Sequence, residues 1–425
     1  MGKNGMTAPL APPAGSTLTA RRVAVERKKA MDAASAEAGA AGAPSVYSRK
    51  NPFLAELTRH DHLTRPGSLK DTRHFVLSLG SSGLTYTPGD SLGVFPRNSP
   101  GLVEELIETL RFDPQATVHD PKGQPTTLGE TLRRDYVINR ANRKILGGLA
   151  ERIPQGEQRN RVMELVGNAD ELAEYIDTRD YVDILREFDE ARFESPQIFL
   201  SQLSPVVPRL YSIASSLQAH PGEVHLCVTI VRYETHGRPK TGLASGFLAD
   251  HTEMFTKTIP IYVQESRTFR LPADKATDII MCGPGVGLAP FRAFLEQRSL
   301  NGATGRNWLF FGEQRRETDF LFEHELTNYK NKGLLHRLDL AFSRDQSYKI
   351  YVQNRMHEHS KELWAWLQNG AHFYVCGDAR RMAKDVHQAL IEIAQKEGGL
   401  SPDAASEYIG TTLMKTEKRY LRDVY

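Results

Sequence analysis

The chain has 425 residues, enough for two or three domains with real cores, and its 54 Lys+Arg against 52 Asp+Glu leave a net charge of only +2. That balance gives no support to a nucleic-acid or anionic-membrane binder, and no apolar run approaches the ~20 residues needed to cross a bilayer. Three widely spaced cysteines, Cys227, Cys282 and Cys376, form no CxxC pair and argue against a disulfide framework or a structural zinc site, so a reducing cytoplasm and no bound metal are expected.

Residues 1–47 are rich in Ala, Gly, Pro and Ser and lack the large apolar residues of a core, so a disordered tail is expected. Glu26, Asp32 and Glu37 weaken a transit-peptide reading. Ordered sequence is expected from about Tyr47. His74–Leu79 reads as a strand, Gly80–Gly83 and Pro88–Asp90 as turns, and Leu92–Phe95 as a second strand. From Pro100 to about Asp189 the pattern is helical, starting with a face of Leu102, Val103, Leu106, Ile107 and Leu110 that Asn98 or Ser99 could cap. Strands return at Tyr211–Ile213, Val224–Tyr233 and Ile259–Val263, which makes a β domain with a helical insert. After Pro272 short apolar strands at Ile279–Cys282, Trp308–Phe311, Leu335–Ala341 and His372–Cys376 alternate with helices such as Ala383–Lys396. Such alternation predicts a doubly wound parallel sheet with its ligand at the C-terminal strand ends.

The residues that carry chemistry fall in both halves. In the first, Arg209-Leu210-Tyr211-Ser212 sets a cation, an aromatic ring and a hydroxyl side by side, suited to a flavin diphosphate, its ring and its N5 edge. Ordinary strand residues would explain any one of them. Gly242-Leu243-Ala244-Ser245 precedes a helix-like stretch and is a further candidate for backbone contact with phosphate.

In the second half Gly283-Pro284-Gly285-Val286-Gly287 turns from strand into helix, as a pyrophosphate loop does, but a GxGxG turn alone fits a plain tight turn equally well. Ser343, Arg344, Lys349, Tyr351 and Gln353 follow a strand and offer an Arg fork and an ammonium for a 2′-phosphate, or a solvated basic turn if taken alone. Cys376 stands at a strand end before Gly377-Asp378, a ligand-facing place, whereas Cys227 and Cys282 read as core. The last residue, Tyr425, reads as a frayed end or, beside a flavin, as a removable lid.

In order along the chain, RLYSIASS (209–216), GPGVGLAPFR (283–292), SRDQ (343–346), KIYVQ (349–353), YVCGD (374–378), MAKD (382–385) and the terminal RDVY (422–425) resemble one family. From about Tyr47 onward the chain is similar to the ferredoxin-NADP reductase-like half of the diflavin reductases, which include cytochrome P450 reductase and the flavoprotein (alpha) subunit of NADPH-dependent sulfite reductase. The resemblance to the latter is the strongest. It implies an α+β and α/β multi-domain fold: an antiparallel FAD barrel over 48–272 with a helical connecting insert at about 100–190, then an NADPH domain over 273–425.

By the same resemblance Arg209, Leu210, Tyr211, Ser212, Cys227, Val228, Thr229, Tyr233 and Gly242 to Ser245 contact FAD, and Tyr425 covers the flavin. Gly283, Gly285, Val286, Gly287, Ser343, Arg344, Lys349, Ile350, Tyr351, Val352, Gln353 and Asp385 hold NADPH, with Arg73 a further candidate. Ser212, Cys376 and Asp423 flank the hydride path. Val286 departs from the family's usual Thr. The FMN-binding flavodoxin domain that precedes this unit in the family has no counterpart in residues 1–47, so no FMN is expected on this chain. The implied activity is that of an NADPH-dependent FAD reductase. Its implied acceptor is a sulfite reductase hemoprotein or a separate flavodoxin- or ferredoxin-type carrier. A flavodoxin/ferredoxin-NADP reductase, a P450 electron supplier and a non-catalytic flavin-binding assembly module are the competing readings.

Overall fold

Two stretches rich in short apolar runs build two sheets. In the computed structural model, which describes residues 46–251 and 258–425, the first sheet contains β1 (Phe53–His62), β2 (Asp71–Ser78), β3 (Ser91–Val94), β4 (Arg209–Ser212), β5 (Glu223–Ile230) and β6 (Thr258–Gln264). The expected tail falls almost entirely on residues 1–45, outside the described residues. All neighbours in this sheet are antiparallel, in the order β4-β3-β6-β1-β2-β5. The Ala214 N–H donates to the His225 carbonyl at 2.8 Å, which joins the end of one edge strand to the other and curls the sheet toward a barrel. Its interior is filled by Phe75, Leu77, Leu92, Val224, Leu226, Ile259 and Ile261.

Between β3 and β4 the chain leaves the sheet as a mainly helical insert with a core of its own, including Leu106, Ile145, Leu149, Val162, Tyr181 and Phe199. The insert starts with α1 (Pro100–Leu110), where proline at the first turn costs no hydrogen bond. Of the two candidate caps, Ser99 does the capping, its Oγ accepting from the Leu102 N–H at 3.4 Å. Asn98 instead donates to the carbonyls of Leu132 and Tyr136 at 2.7 and 2.6 Å and ties the first helix to the rest of the insert. A charged knot fastens insert to barrel. Arg238 and Lys240, on the hairpin formed by Arg232–Thr235 and Arg238–Thr241, face Glu105, Asp180 and Asp183. After that hairpin the chain makes the short helix α2 (Leu243–Gly246).

The second sheet is parallel throughout: β7 (Ile279–Cys282), β8 (Asn307–Glu313), β9 (Arg337–Phe342), β10 (His372–Gly377) and β11 (Tyr420–Val424), in the order β9-β8-β7-β10-β11. Every residue of β7 and β8 is buried, as expected of strands covered on both faces by crossover helices. Those helices include α3 (Ala289–Leu300), α4 (Val352–Glu358) and α5 (Met382–Gly398), the last closed by Gly399 in the left-handed conformation (φ 64°). The strand order reverses between β7 and β10, and such a switch point opens a crevice at the carboxyl ends of the strands.

One difference from the sequence reading bears on the site. The C-terminus is not frayed: Tyr420–Val424 is a full edge strand, its register pairing Asp423 with Cys376. Among the described residues no helix is long and apolar enough to cross a membrane.

The two sheets meet across a polar seam. Arg292 of α3 grips Glu325 through two hydrogen bonds (2.7 and 3.0 Å) and donates to the Ala214 carbonyl at 2.6 Å. Arg65 pairs with Glu323, Lys70 with Glu313, and Arg270 with Asp90.

Candidate functional site

The site grows from three chain segments that the topology brings together. The register of β4 against β3 aligns Arg209 to Ser212 with Val94 to Ser91 and sets them at the sheet edge. The parallel pairing of β10 with β11 sets Cys376 beside Asp423. The glycine loop after β7 supplies the third wall. Gly287 lies so close to β10 that a Cβ there would come within 2.1 Å of the Cys376 carbonyl oxygen. Gly285 is left-handed (φ 58°), and Gly283 abuts the Gly287 carbonyl and the Phe291 ring.

These walls enclose an open cleft of about 430 Å³. Arg209, Leu210, Tyr211, Ser212, Cys227, Val228 and Thr229 line one side, Gly242 to Ser245 a second, and Val286, Ala289 and Tyr425 the third. Pro96, Val207 and Val231 also line it and were not singled out from the sequence. Val207 and Val231 are 62% and 49% exposed, and a valine that a strand-rich segment leaves uncovered was the available signal.

Behind the cleft wall Ser212, which lines it, meets two side chains that do not, Cys376 and Asp423. The Ser212 hydroxyl donates to Asp423 Oδ2 at 2.6 Å, and the Cys376 thiol points at the same oxygen from 3.7 Å. Ser212 Oγ and Cys376 Sγ are 4.0 Å apart. Cys376 is fully buried, and burial, reinforced by the Asp423 charge, raises its thiol well above the ordinary range, so it stays protonated at neutral pH. Tyr425 is 53% exposed at the cleft mouth, while its backbone is held by Gly377 and Ala379 through bonds of 3.1 and 3.0 Å.

The loop at Gly242 is stitched to the end of β5: its N–H donates to the Val231 carbonyl, and the Ser245 hydroxyl accepts from the Val231 N–H. The α2 start has no side-chain cap, which leaves helix N–H groups for an anion. A Cβ at Gly242 would stand 2.8 Å from Ser245 Oγ. Tyr233 is exposed on the hairpin beside this loop. Cys227 is both core and wall. It is 5% exposed, and burial pushes its thiol up to about 12.

The second cluster lies at the carboxyl end of β9. The Ser343 N–H donates to the Glu313 carbonyl at 2.9 Å, and Arg344 and Lys349 are exposed cations with no ion pair among the described residues. Tyr351 starts α4, and Gln353 Nε2 reaches Asp385 Oδ2 at 3.3 Å, tying this cluster to α5. Ile350 is half-buried, and Val352 turns into the core under Gly312. Arg73 is held elsewhere, by Asp71 at 2.8 and 2.9 Å, and it also donates to the Ala249 carbonyl.

The donor set fits a flavin dinucleotide and a phosphorylated nicotinamide dinucleotide. The glycines let the loops pack tightly against neighbouring protein atoms, an uncapped helix start and Arg209 suit a diphosphate, and two cations unpaired among the described residues suit a third phosphate.

Comparison with known proteins agrees with that fit. A family model described as a FAD binding domain matches residues 45–247, and one described as an oxidoreductase NAD-binding domain matches 262–388. The sulfite reductase (NADPH) flavoprotein alpha-component of Bacillus subtilis (strain 168) is 46% identical over 382 residues, 90% of this chain and 62% of that protein. The protein of that name in Escherichia coli (strain K12) is 42% identical over 421 residues, 97% of this chain and 68% of its own length. That of Mannheimia succiniciproducens is 44% identical over 379 residues, 89% and 62%. The chain thus spans between 62% and 68% of the length of these relatives.

Proposed function

The chain belongs to the family of sulfite reductase (NADPH) flavoprotein alpha-components, and we propose that it takes hydride from NADPH and delivers electrons singly to a protein acceptor, the sulfite reductase hemoprotein. FAD, when bound, supplies the chemistry that turns a two-electron donor into one-electron steps. The observation that carries this reading is the meeting of Ser212, Cys376 and Asp423, from three strands of two sheets, at the wall of the cleft that Val286 and Tyr425 share with Arg209 to Ser212.

Arg209 and the Gly242–Ser245 backbone would hold the FAD diphosphate, and Tyr211 and Tyr425 would offer rings to the flavin. Ser212, held in place by its bond to Asp423, would stand at the flavin N5 edge. Cys376, kept as a neutral thiol, contributes bulk and polarisability that orient the nicotinamide without adding charge. Asp423 sets negative charge where positive charge grows on that ring as hydride leaves. Arg344, Lys349 and Ser343 hold the 2′-phosphate and so choose NADPH over NADH, with Tyr351, Gln353 and Asp385 completing that end. The Tyr425 ring must swing out for the nicotinamide to reach Ser212 and Cys376. It stands half-exposed at the cleft mouth on a backbone held by two hydrogen bonds, so the ring can move while the main chain stays in place.

An anaerobic NADPH titration of the purified yellow protein tests the first half: the flavin absorbance should bleach, and the flavin released on denaturation should be FAD. A colourless protein, or one that NADPH leaves yellow, removes the proposal. Reduction of a purified sulfite reductase hemoprotein, measured against flavodoxin and ferredoxin, tests the acceptor.

A further inference from the structure

Away from the cleft, a histidine-rich junction lies where the barrel meets α3. His220-Pro221-Gly222-Glu223 closes a tight turn, with the Glu223 N–H donating to the His220 carbonyl at 3.1 Å and Gly222 at φ 77°. Proline then glycine at the two central positions is the sequence such a turn asks for, and it folds His220 back over Glu223. Strand β5 begins at Glu223, and its two-residue period puts Glu223 and His225 on one face. Among the described residues these three form the set of His, Cys, Asp or Glu side chains placed to share a metal ion, one ligand atom from each lying within 4.8 Å of the others.

We propose that His220, Glu223 and His225 form a binding site for a divalent zinc-class metal ion, with three protein ligands and one open position. Two imidazoles and a carboxylate favour zinc, cobalt or nickel over magnesium or calcium. Glu223 Oε2 lies 3.1 Å from His225 Nε2 and 4.0 Å from His220 Nδ1. A tetrahedral ion with bonds of about 2.0–2.2 Å needs ligands roughly 3.3–3.5 Å apart, so the Glu223–His225 pair is near that spacing and His220, within 4.8 Å of both, must move inward. Only small side-chain shifts are left to make. Glu223 and His220, 45% and 30% exposed at their side chains, are free to make them and open the site to solvent.

The outer shell is already in place. The far nitrogen of His220 hydrogen-bonds Glu296 Oε1 at 2.9 Å, the carboxylate–histidine pairing that orients a metal-bound imidazole. The far nitrogen of His225 faces His74 Nε2 at 3.2 Å, so binding through His225 Nε2 leaves the ring proton on Nδ1, where His74 accepts it. Arg292 Nη1 stands 3.4 Å from that nitrogen and can only donate, so with the proton on Nδ1 it gives up this contact and keeps its bonds to Glu325 and the Ala214 carbonyl. Arg292 is paired with Glu296 and Glu325, which leaves the Glu223 carboxylate to face the two imidazoles and a divalent ion. Because Glu296 belongs to α3 and the three ligands to the barrel side, a bound ion braces the junction between the two sheets.

The test is a titration of the metal-stripped, FAD-loaded chain with Co²⁺, followed by displacement with Zn²⁺. The expected result is one Co²⁺ per chain with the intense visible absorption of a four-coordinate site, and a rise in thermal midpoint with Zn²⁺. His220→Ala and Glu223→Gln alter solvent-exposed side chains outside the barrel core and outside the cleft. Each should weaken Co²⁺ binding at least tenfold while NADPH bleaching of the flavin is unchanged. Absence of saturable Co²⁺ uptake, or wild-type uptake by both variants, overturns the proposal.

Discussion

At the scale of single residues, one carboxylate concentrates the chemistry of the cleft. Asp423 accepts from Ser212 at 2.6 Å and faces the Cys376 thiol. Asp423→Asn keeps size and an acceptor oxygen but removes the charge, so flavin reduction by NADPH, measured by stopped flow, should slow by roughly a hundredfold. FAD content and thermal midpoint should stay unchanged, and an unaltered reduction rate would remove Asp423 from the hydride path. Arg344 carries the second residue-scale prediction. Its side chain has no partner among the described residues, so Arg344→Ala should act on the ligand. A charge-assisted bond to phosphate is worth about 1.5–3 kcal/mol, which corresponds to a rise of roughly tenfold or more in KM for NADPH and little change for NADH. Equal effects on both cofactors would remove the 2′-phosphate assignment.

At the scale of elements, the knot between insert and barrel is the most exacting arrangement. Lys240, 5% exposed, faces Asp180 and Asp183, themselves 3% and 4% exposed. Burial pushes Asp183 up, but Lys240, the Asp180 N–H and Arg238 outweigh it and hold the carboxyl below its usual range. Removing one partner from a buried ion pair leaves an uncompensated charge. Lys240→Met should therefore lose about 3–5 kcal/mol in denaturant unfolding, far more than the 0–1 kcal/mol typical of a surface pair. Legibility also varies by element. Strands β7 and β8 could be read from continuous apolar runs because both faces are covered. Strand β1 could not: Phe53, Ala55 and Leu57 alternate with exposed neighbours, but exposed Leu54 blurs the pattern and a register shift after Leu57 ends it. Pairing with β2 on one side and β6 on the other holds it in place.

At the scale of the whole molecule, the junction of the two sheets makes stability sensitive to mild acid. Burial, with Arg292 adding to it, lowers His74 to about 3, and burial lowers His225 below the ordinary imidazole range as well. The unfolded chain therefore binds protons near pH 6.5 that the folded chain refuses. Stability is present in full above about pH 6.5 and falls as pH drops through that value, by about 1.4 kcal/mol per pH unit for each such histidine. Thermal midpoints should already decline between pH 6.5 and 5, above the range where carboxylates alone begin to act. A flat profile over that interval would contradict the assignment of both rings as neutral and buried.

The sequence by itself determined the two kinds of sheet, the two glycine-rich turns and the presence of a flavin motif ahead of a dinucleotide motif. These are local properties, set by the tight approaches that glycine's missing side chain permits and by the side-chain periods of strand and helix. Even the His220–Glu223 turn is written in four adjacent residues. Only the tertiary structure decided which distant groups meet. Cys376 and Asp423 stand 47 positions apart and face each other because β11 adds in parallel to β10. Ser212 reaches them from another sheet, Arg73 pairs with Asp71, and Glu296 and His74 come to the outer nitrogens of His220 and His225. Register and sheet order settle such encounters, and they follow from backbone pairing summed over whole strands, which no short window of sequence contains.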